Sequence, residues 1–252
     1  MNAIPEEVLM IERQHEIETI DGTMTTFEFH PEEGGPYPIV LYLMDAPSIR
    51  PALKDMASRL ASAGYYVLMP FLYYRVSPYR EFGISDDDMH DRMEFMKTVN
   101  GERILPDTKA MLEFAEKNDK ADSAGKIGAV GFCMSGPLVL SLAQNMPDKV
   151  AAVASIHGAW LVSDKDDSPH KNLDKIQGEV YFGWANNDPT ATPEEMDVMD
   201  KALTDAGVNY RIDFMEDALH GFAPPGGERY NREAAEKHWE RVHDLFRRNL
   251  TT

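Results

Sequence analysis

The chain has 252 residues, 43% of them hydrophobic, and its 43 acidic and 25 basic side chains leave a formal charge of −18. A chain of this length buries a full core and, in the α/β class, commonly forms one domain. So acidic a surface repels phosphate backbones and anionic lipid, which argues against nucleic-acid and membrane partners.

A single cysteine excludes an internal disulfide and leaves any thiol chemistry to a reducing compartment. No run approaches the ~20 apolar residues of a membrane-spanning helix. The first seven residues lack the basic and apolar regions of a signal peptide, so a cytoplasmic location is expected. Neither an internal repeat nor a Cys/His spacing of zinc type is present, and neither metal nor cofactor is expected.

Glu16 to Ile20 and Met24 to Phe29 are predicted to form a hairpin turned at Asp21-Gly22, the antiparallel edge of a sheet. Gly34-Gly35-Pro36 breaks the chain, and Ile39 to Met44 reads as a strand buried on both faces. Asp45 to Pro51 is then a strand-to-helix loop with Pro51 in the first helical turn. Apolar residues at helical spacing from Pro51 to Ala63 predict a helix capped at Gly64, followed by a strand from Tyr65 to Met69. The aromatic loop Phe71-Leu-Tyr-Tyr-Arg75 carries one cation to the carboxyl edge of the sheet. Arg75 is either a bidentate holder of a substrate carboxylate or half of a structural ion pair.

Residues 77–103 are polar and methionine-rich, with a short helix from Asp86 to Val99 as a candidate lid over the site. A helix from Pro106 to Lys117 and polar residues 118–124 lead into Lys126-Ile-Gly-Ala-Val-Gly-Phe-Cys-Met-Ser-Gly136. An apolar run that meets glycine, one bulky residue, a nucleophile and then small residues reads as strand, sharp turn, helix. The tip is Cys133. Taken alone, a cysteine after a strand is more often an inert buried hydrophobe than a catalyst.

Further strands are predicted from Val150 to Ile156, Val180 to Trp184 and Asn209 to Met215, with helices at Pro137 to Ala143, Pro193 to Ala206 and Arg232 to Asn249, the last capped by Asn231. Asp188 follows one of these strands and His220 another. Asn186 and Asn187 hold no charge to stabilise an imidazolium, so Asp188 is the candidate acid. His157 is a rival base; His220 is preferred because His157 directly ends a strand, whereas His220-Gly221-Phe222 lies on a loop able to bend the ring over the sheet.

On the elbow Gly131-Phe-Cys-Met134, the loop Leu72-Tyr-Tyr-Arg75, Asp188 and His220-Gly-Phe222, the sequence resembles the dienelactone hydrolase family over nearly its whole length. The order nucleophile, acid, histidine is that of the α/β-hydrolases. The resemblance implies one domain over residues 1–252, a mostly parallel central sheet with helices on both faces and the N-terminal hairpin antiparallel to it. It also implies a Cys133/His220/Asp188 hydrolase of lactones or small carboxylic esters, working through a thioester without a cofactor; a monomer or small homo-oligomer is expected. Its oxyanion hole falls on the backbone N–H groups of Ala46 and Met134, and Arg75 matches the family's substrate arginine. Asp45 stands where the family has a glutamate that touches the resting thiol. Pro224 replaces a second substrate arginine, for which Arg229 and Arg232 are candidate substitutes. Ser135 replaces the second elbow glycine and is expected to be a spectator. Two other readings remain: a promiscuous carboxylesterase or thioesterase, and a non-catalytic thiol redox sensor or ligand-binding member of the family.

Overall fold

The computed structural model describes residues 9–83 and 85–250; the signal-peptide expectation for the first seven residues lies outside them. The chain opens with β1 (Met10–Thr19) and β2 (Gly22–Pro31), paired antiparallel in full register from Met10 with Pro31 to Thr19 with Gly22. The hairpin is therefore longer than the apolar pattern predicts, and its loop is Ile20-Asp21 rather than Asp21-Gly22. Thr19 explains the shift. Its hydroxyl donates to the Gly22 carbonyl and accepts from the Asp21 N–H, closing the turn one residue early, while Gly22 takes the positive φ of 131°.

β3 (Tyr37–Leu43), α1 (Pro51–Ser62) and β4 (Tyr66–Pro70) follow, with Gly64 at φ 95° ending the helix turn. Then come α2 (Asp86–Met96), α3 (Ile104–Ala115), the two-residue strand β5 (Ala121–Asp122) and β6 (Ile127–Phe132). Beyond a 3-10 turn at Cys133–Ser135 lie α4 (Gly136–Asn145), β7 (Val150–Ile156), β8 (Glu179–Asn187), α5 (Pro193–Asp205), β9 (Tyr210–Leu219) and α6 (Arg232–Leu250). The expected cap forms, Asn231 accepting from the Ala234 N–H, and Thr192 with Glu195 makes a reciprocal capping box on α5 that the sequence reading did not name.

Among the described residues the main sheet runs β1-β2-β4-β3-β6-β7-β8-β9. β2 pairs antiparallel with β4, and every pairing from β4 through β9 is parallel. The small β5 joins β3 at its start, a pairing that the polar stretch 118–124 does not announce. α1 and α6 share one face, where Arg59 makes a two-pronged pair with Glu236 and stacks over Trp239. α3 and α4 pack together, and Ser141 of α4 donates to the Gly101 carbonyl before α3. The inner parallel strands are buried on both faces, β4, β6 and β7 throughout, whereas the edge strand β9 is half exposed. No described helix is long and apolar enough to cross a membrane.

β8 and β9 run farther than predicted, to Asn187 and Leu219, so Asp188 and His220 each follow a strand directly. Between the pairs Ala185/Met215 and Asn187/Leu219, one residue of β8 faces three of β9, and Asp217 within that bulge has φ 54°. A bulge next to a sheet edge re-aims the residues after it. This one turns the chain at His220.

Candidate active site

Three strands end at one place and deliver three side chains. The sulfur of Cys133 lies 3.0 Å from Nε2 of His220, and Nδ1 of His220 lies 2.6 Å from Oδ2 of Asp188. Cys133 sits at φ 55°, the left-handed conformation of a strained elbow tip. Its neighbours must be small. A Cβ on Gly131 would come within 2.3 Å of the Ser135 carbonyl oxygen, and one on Gly136 within 2.6 Å of the Gly158 Cα. Ser135 is more than a spectator, since its hydroxyl donates to the Met44 carbonyl at 2.6 Å and ties the elbow to the chain leaving β3.

Thr190 escaped the sequence reading, although Asp188-Pro-Thr190 carried a legible signal, an aspartate accepting from the N–H two residues on. Its N–H and its hydroxyl both donate to Oδ1 of Asp188, at 2.8 and 2.7 Å, and the hydroxyl lies 3.2 Å from His220 Nδ1. One carboxylate oxygen is thus held by Thr190 while the other faces the ring. Burial opposes charge on His220, but the hydrogen bonds and charges of Asp188 and Cys133 outweigh it and bring the ring's pKa up to about 10.

His157 also stands at a strand end, so position after a strand does not separate the two histidines as expected. Burial and partners do. His157 is 1% exposed and neither ring nitrogen has a hydrogen-bond partner among the described residues. Burial first, then the nearby His220 and His238, push its pKa well below the ordinary histidine value. Its ring packs edge-on against His220 with centroids 5.3 Å apart, a wall behind the ring that meets the thiol.

Two expected contacts are replaced. Asp45 is gripped by Arg50, Nη1 to Oδ1 at 2.6 Å and Nη2 to Oδ2 at 2.9 Å, and the thiol's hydrogen-bond partner is His220. A bidentate charged pair within one short loop takes up both carboxylate oxygens. Arg75 does not present a free guanidinium. It grips the buried Asp107 through both terminal nitrogens at 2.9 and 2.7 Å and donates from Nε to Asp21 at 2.7 Å. Of its two sequence readings, the structural ion pair is the one formed. Arg229 reaches toward the His220 carbonyl at 3.5 Å.

Ala46 and Met134 are brought together by a residue the sequence did not single out. The buried Tyr73 hydroxyl donates to the Ala46 carbonyl at 3.0 Å and lies 3.2 Å from the Met134 sulfur. Burial, reinforced by Cys133 and Asp45, raises this phenol above its ordinary range and keeps it a donor. Residues 77–103, the expected cover, hold α2, shorter than predicted, with none of its side chains buried; Phe82 and Phe95 pack edge-on against Tyr73. Among the described residues no group of three or more His, Cys, Asp or Glu is arranged to hold a metal ion.

The model of the dienelactone hydrolase family matches residues 24–250. The chain is 29% identical over 221 residues to a Synechocystis protein named "Putative carboxymethylenebutenolidase", covering 86% of this chain and 88% of that one. Among solved structures it superposes with a TM-score of 0.83 and 21% identity on a "Putative Dienelactone Hydrolase" from Klebsiella pneumoniae, covering 94% and 98% of the two chains. A dienelactone hydrolase-like promiscuous phosphotriesterase from metagenomic libraries gives 0.74 at 21% identity, covering 96% and 99%. The fold is that of the α/β-hydrolases.

Proposed function

Because the chain belongs to the dienelactone hydrolase family, whose relatives mark it as a hydrolase of ester bonds, we propose that it cleaves small carboxylic esters or lactones through Cys133, His220 and Asp188. The observation that carries this reading is the continuous line from sulfur to imidazole to carboxylate, 3.0 and then 2.6 Å. His220, oriented by Asp188, takes the Cys133 proton. The thiolate attacks the carbonyl carbon, a C–S bond forms and the carbonyl π pair moves to oxygen. The N–H groups of Met134 and Ala46 receive that oxyanion, a donor being worth on the order of a hundredfold in rate. Collapse expels the alkoxide, which leaves with the proton from His220. Water, deprotonated by the same ring, then attacks the thioester and returns the thiol and a carboxylic acid. A cytoplasmic, reducing setting keeps the thiol competent.

A broad carboxylesterase or thioesterase is the second reading. The ion pairs of Arg75 with Asp107 and Asp21 favour it, because they take up the guanidinium expected to hold a substrate carboxylate. Steady-state kinetics of Cys133→Ala on a dienelactone and on neutral aryl esters tests both. Activity should fall at least a thousandfold on every substrate while the melting temperature changes little. Retained activity removes the nucleophile assignment, and wild-type turnover of neutral esters alone selects the second reading.

A further inference from the structure

A groove of about 710 Å³ runs beside the triad, within the range of sites that enclose a ligand of drug size. Its near end is walled by Met134 and Trp160. Met134 follows the nucleophile. Trp160 is tied to the site by its backbone, its N–H donating to the Thr190 carbonyl at 2.9 Å, while the Ala159 N–H donates to the Cys133 carbonyl at 3.0 Å. From there one stretch of the lining is apolar, Met96 of α2, Val99 beyond it, Leu138 of α4 and Val162. The rest of the lining is polar, with Ser141 and Asn145 of α4 and the charged Glu102, Lys165, Asp167 and Lys175.

Trp160 is the least expected of these. It stands at φ 55°, uncommon for a bulky residue, and is 52% exposed. Core packing therefore does not account for its placement; the backbone holds a large apolar ring at the rim of the groove. α2 contributes Met96 to the lining, a flexible side chain that adapts to what it covers.

We propose that this groove takes the acyl arm of the substrate and that the arm is a long apolar chain, so that medium-chain acyl esters are hydrolysed in preference to acetate-sized ones. The assignment to the acyl half rests on the hydrolase reading above. His220 protonates the leaving oxygen, so the alcohol half lies on the ring's side, whereas the groove reaches the site at Met134, the residue after the nucleophile; none of the three triad residues lines it. Each buried methylene is worth roughly a fourfold gain in binding.

The test compares p-nitrophenyl acetate, butyrate and octanoate in the wild type, Val99→Trp and Val162→Trp, two substitutions that narrow the groove at its apolar lining. The octanoate-to-acetate ratio of kcat/KM should be at least ten in the wild type and fall toward one in each variant. A flat wild-type series, or a ratio that survives both substitutions, overturns the proposal. A second measurement does not need turnover. In Cys133→Ala labelled with [methyl-13C]methionine, 1-octanol should shift the Met96 and Met134 methyl signals, and the absence of those shifts also overturns it. If no ester is hydrolysed but the shifts appear, the groove stands and the hydrolase reading falls.

Discussion

At the residue scale, the chemistry depends on how firmly one carboxylate is held. Asp188 is buried, and Thr190 secures Oδ1 through two donors, leaving Oδ2 as the oxygen that meets His220. Thr190→Val keeps the shape and the backbone donor but removes the hydroxyl. A hydrogen bond to a charged group is worth ~1.5–3 kcal/mol, and losing one of two at this oxygen should lower kcat roughly tenfold with KM nearly constant. Stopped-flow and steady-state assays on one ester check this, and an unchanged kcat would make Thr190 a bystander. The nucleophile, acid and base candidates were all legible because each sits in a short local pattern. The ion pairs of Arg75 were not legible, for the opposite reason. Arg75 is 32 and 54 positions from its partners Asp107 and Asp21, and no local spacing announces such a pair.

At the element scale, the buried parallel strands were easy to read, since β3, β6 and β7 are apolar runs bounded by turn formers. The ends of β8 and β9 were not. β9 lies at the sheet edge, with Phe214 and Leu219 exposed and acidic residues at the bulge, so its pattern loses contrast where it delivers His220. The loop after β4 is anchored to α3 by Arg75 and to the hairpin by Tyr74, whose hydroxyl bonds Thr19 and Asp107. Arg75→Ala leaves the buried Asp107 carboxylate without its counter-charge, and breaking such a pair costs ~3–5 kcal/mol. In a chain of this size that lowers the melting temperature on the order of 10 °C. Calorimetry should show that loss, with activity affected equally on neutral and carboxylate-bearing esters. A stable variant defective only on carboxylates would return Arg75 to substrate binding.

At the scale of the whole molecule, two fully buried histidines couple folding to acidity. His238 is held down to about 3, by burial first and then by Arg59, and His157 lies well below its ordinary value. Both stay neutral when folded and take a proton near pH ~6.5 when unfolded. The unfolded state therefore binds more protons as pH falls below ~6.5, and stability drops by up to about 2.7 kcal/mol per pH unit from the two together. His238→Phe removes one of them and should roughly halve the slope between pH 6 and 4 in urea titrations; an unchanged slope would place the acid sensitivity elsewhere. The family resemblance, the sheet and its antiparallel edge were readable from sequence, whereas this column of buried rings was not, because His157 and His238 are 81 positions apart and meet only through Phe132 and Phe222.

The central claim is that Cys133 becomes acylated during turnover, and rapid-quench intact-protein mass spectrometry after mixing with an ester panel tests it most directly. The account predicts a transient mass gain of one acyl group, mapped by peptide digestion to Cys133, released by neutral hydroxylamine and absent from Cys133→Ala. An acyl group mapped to any other residue, Ser135 included, contradicts it.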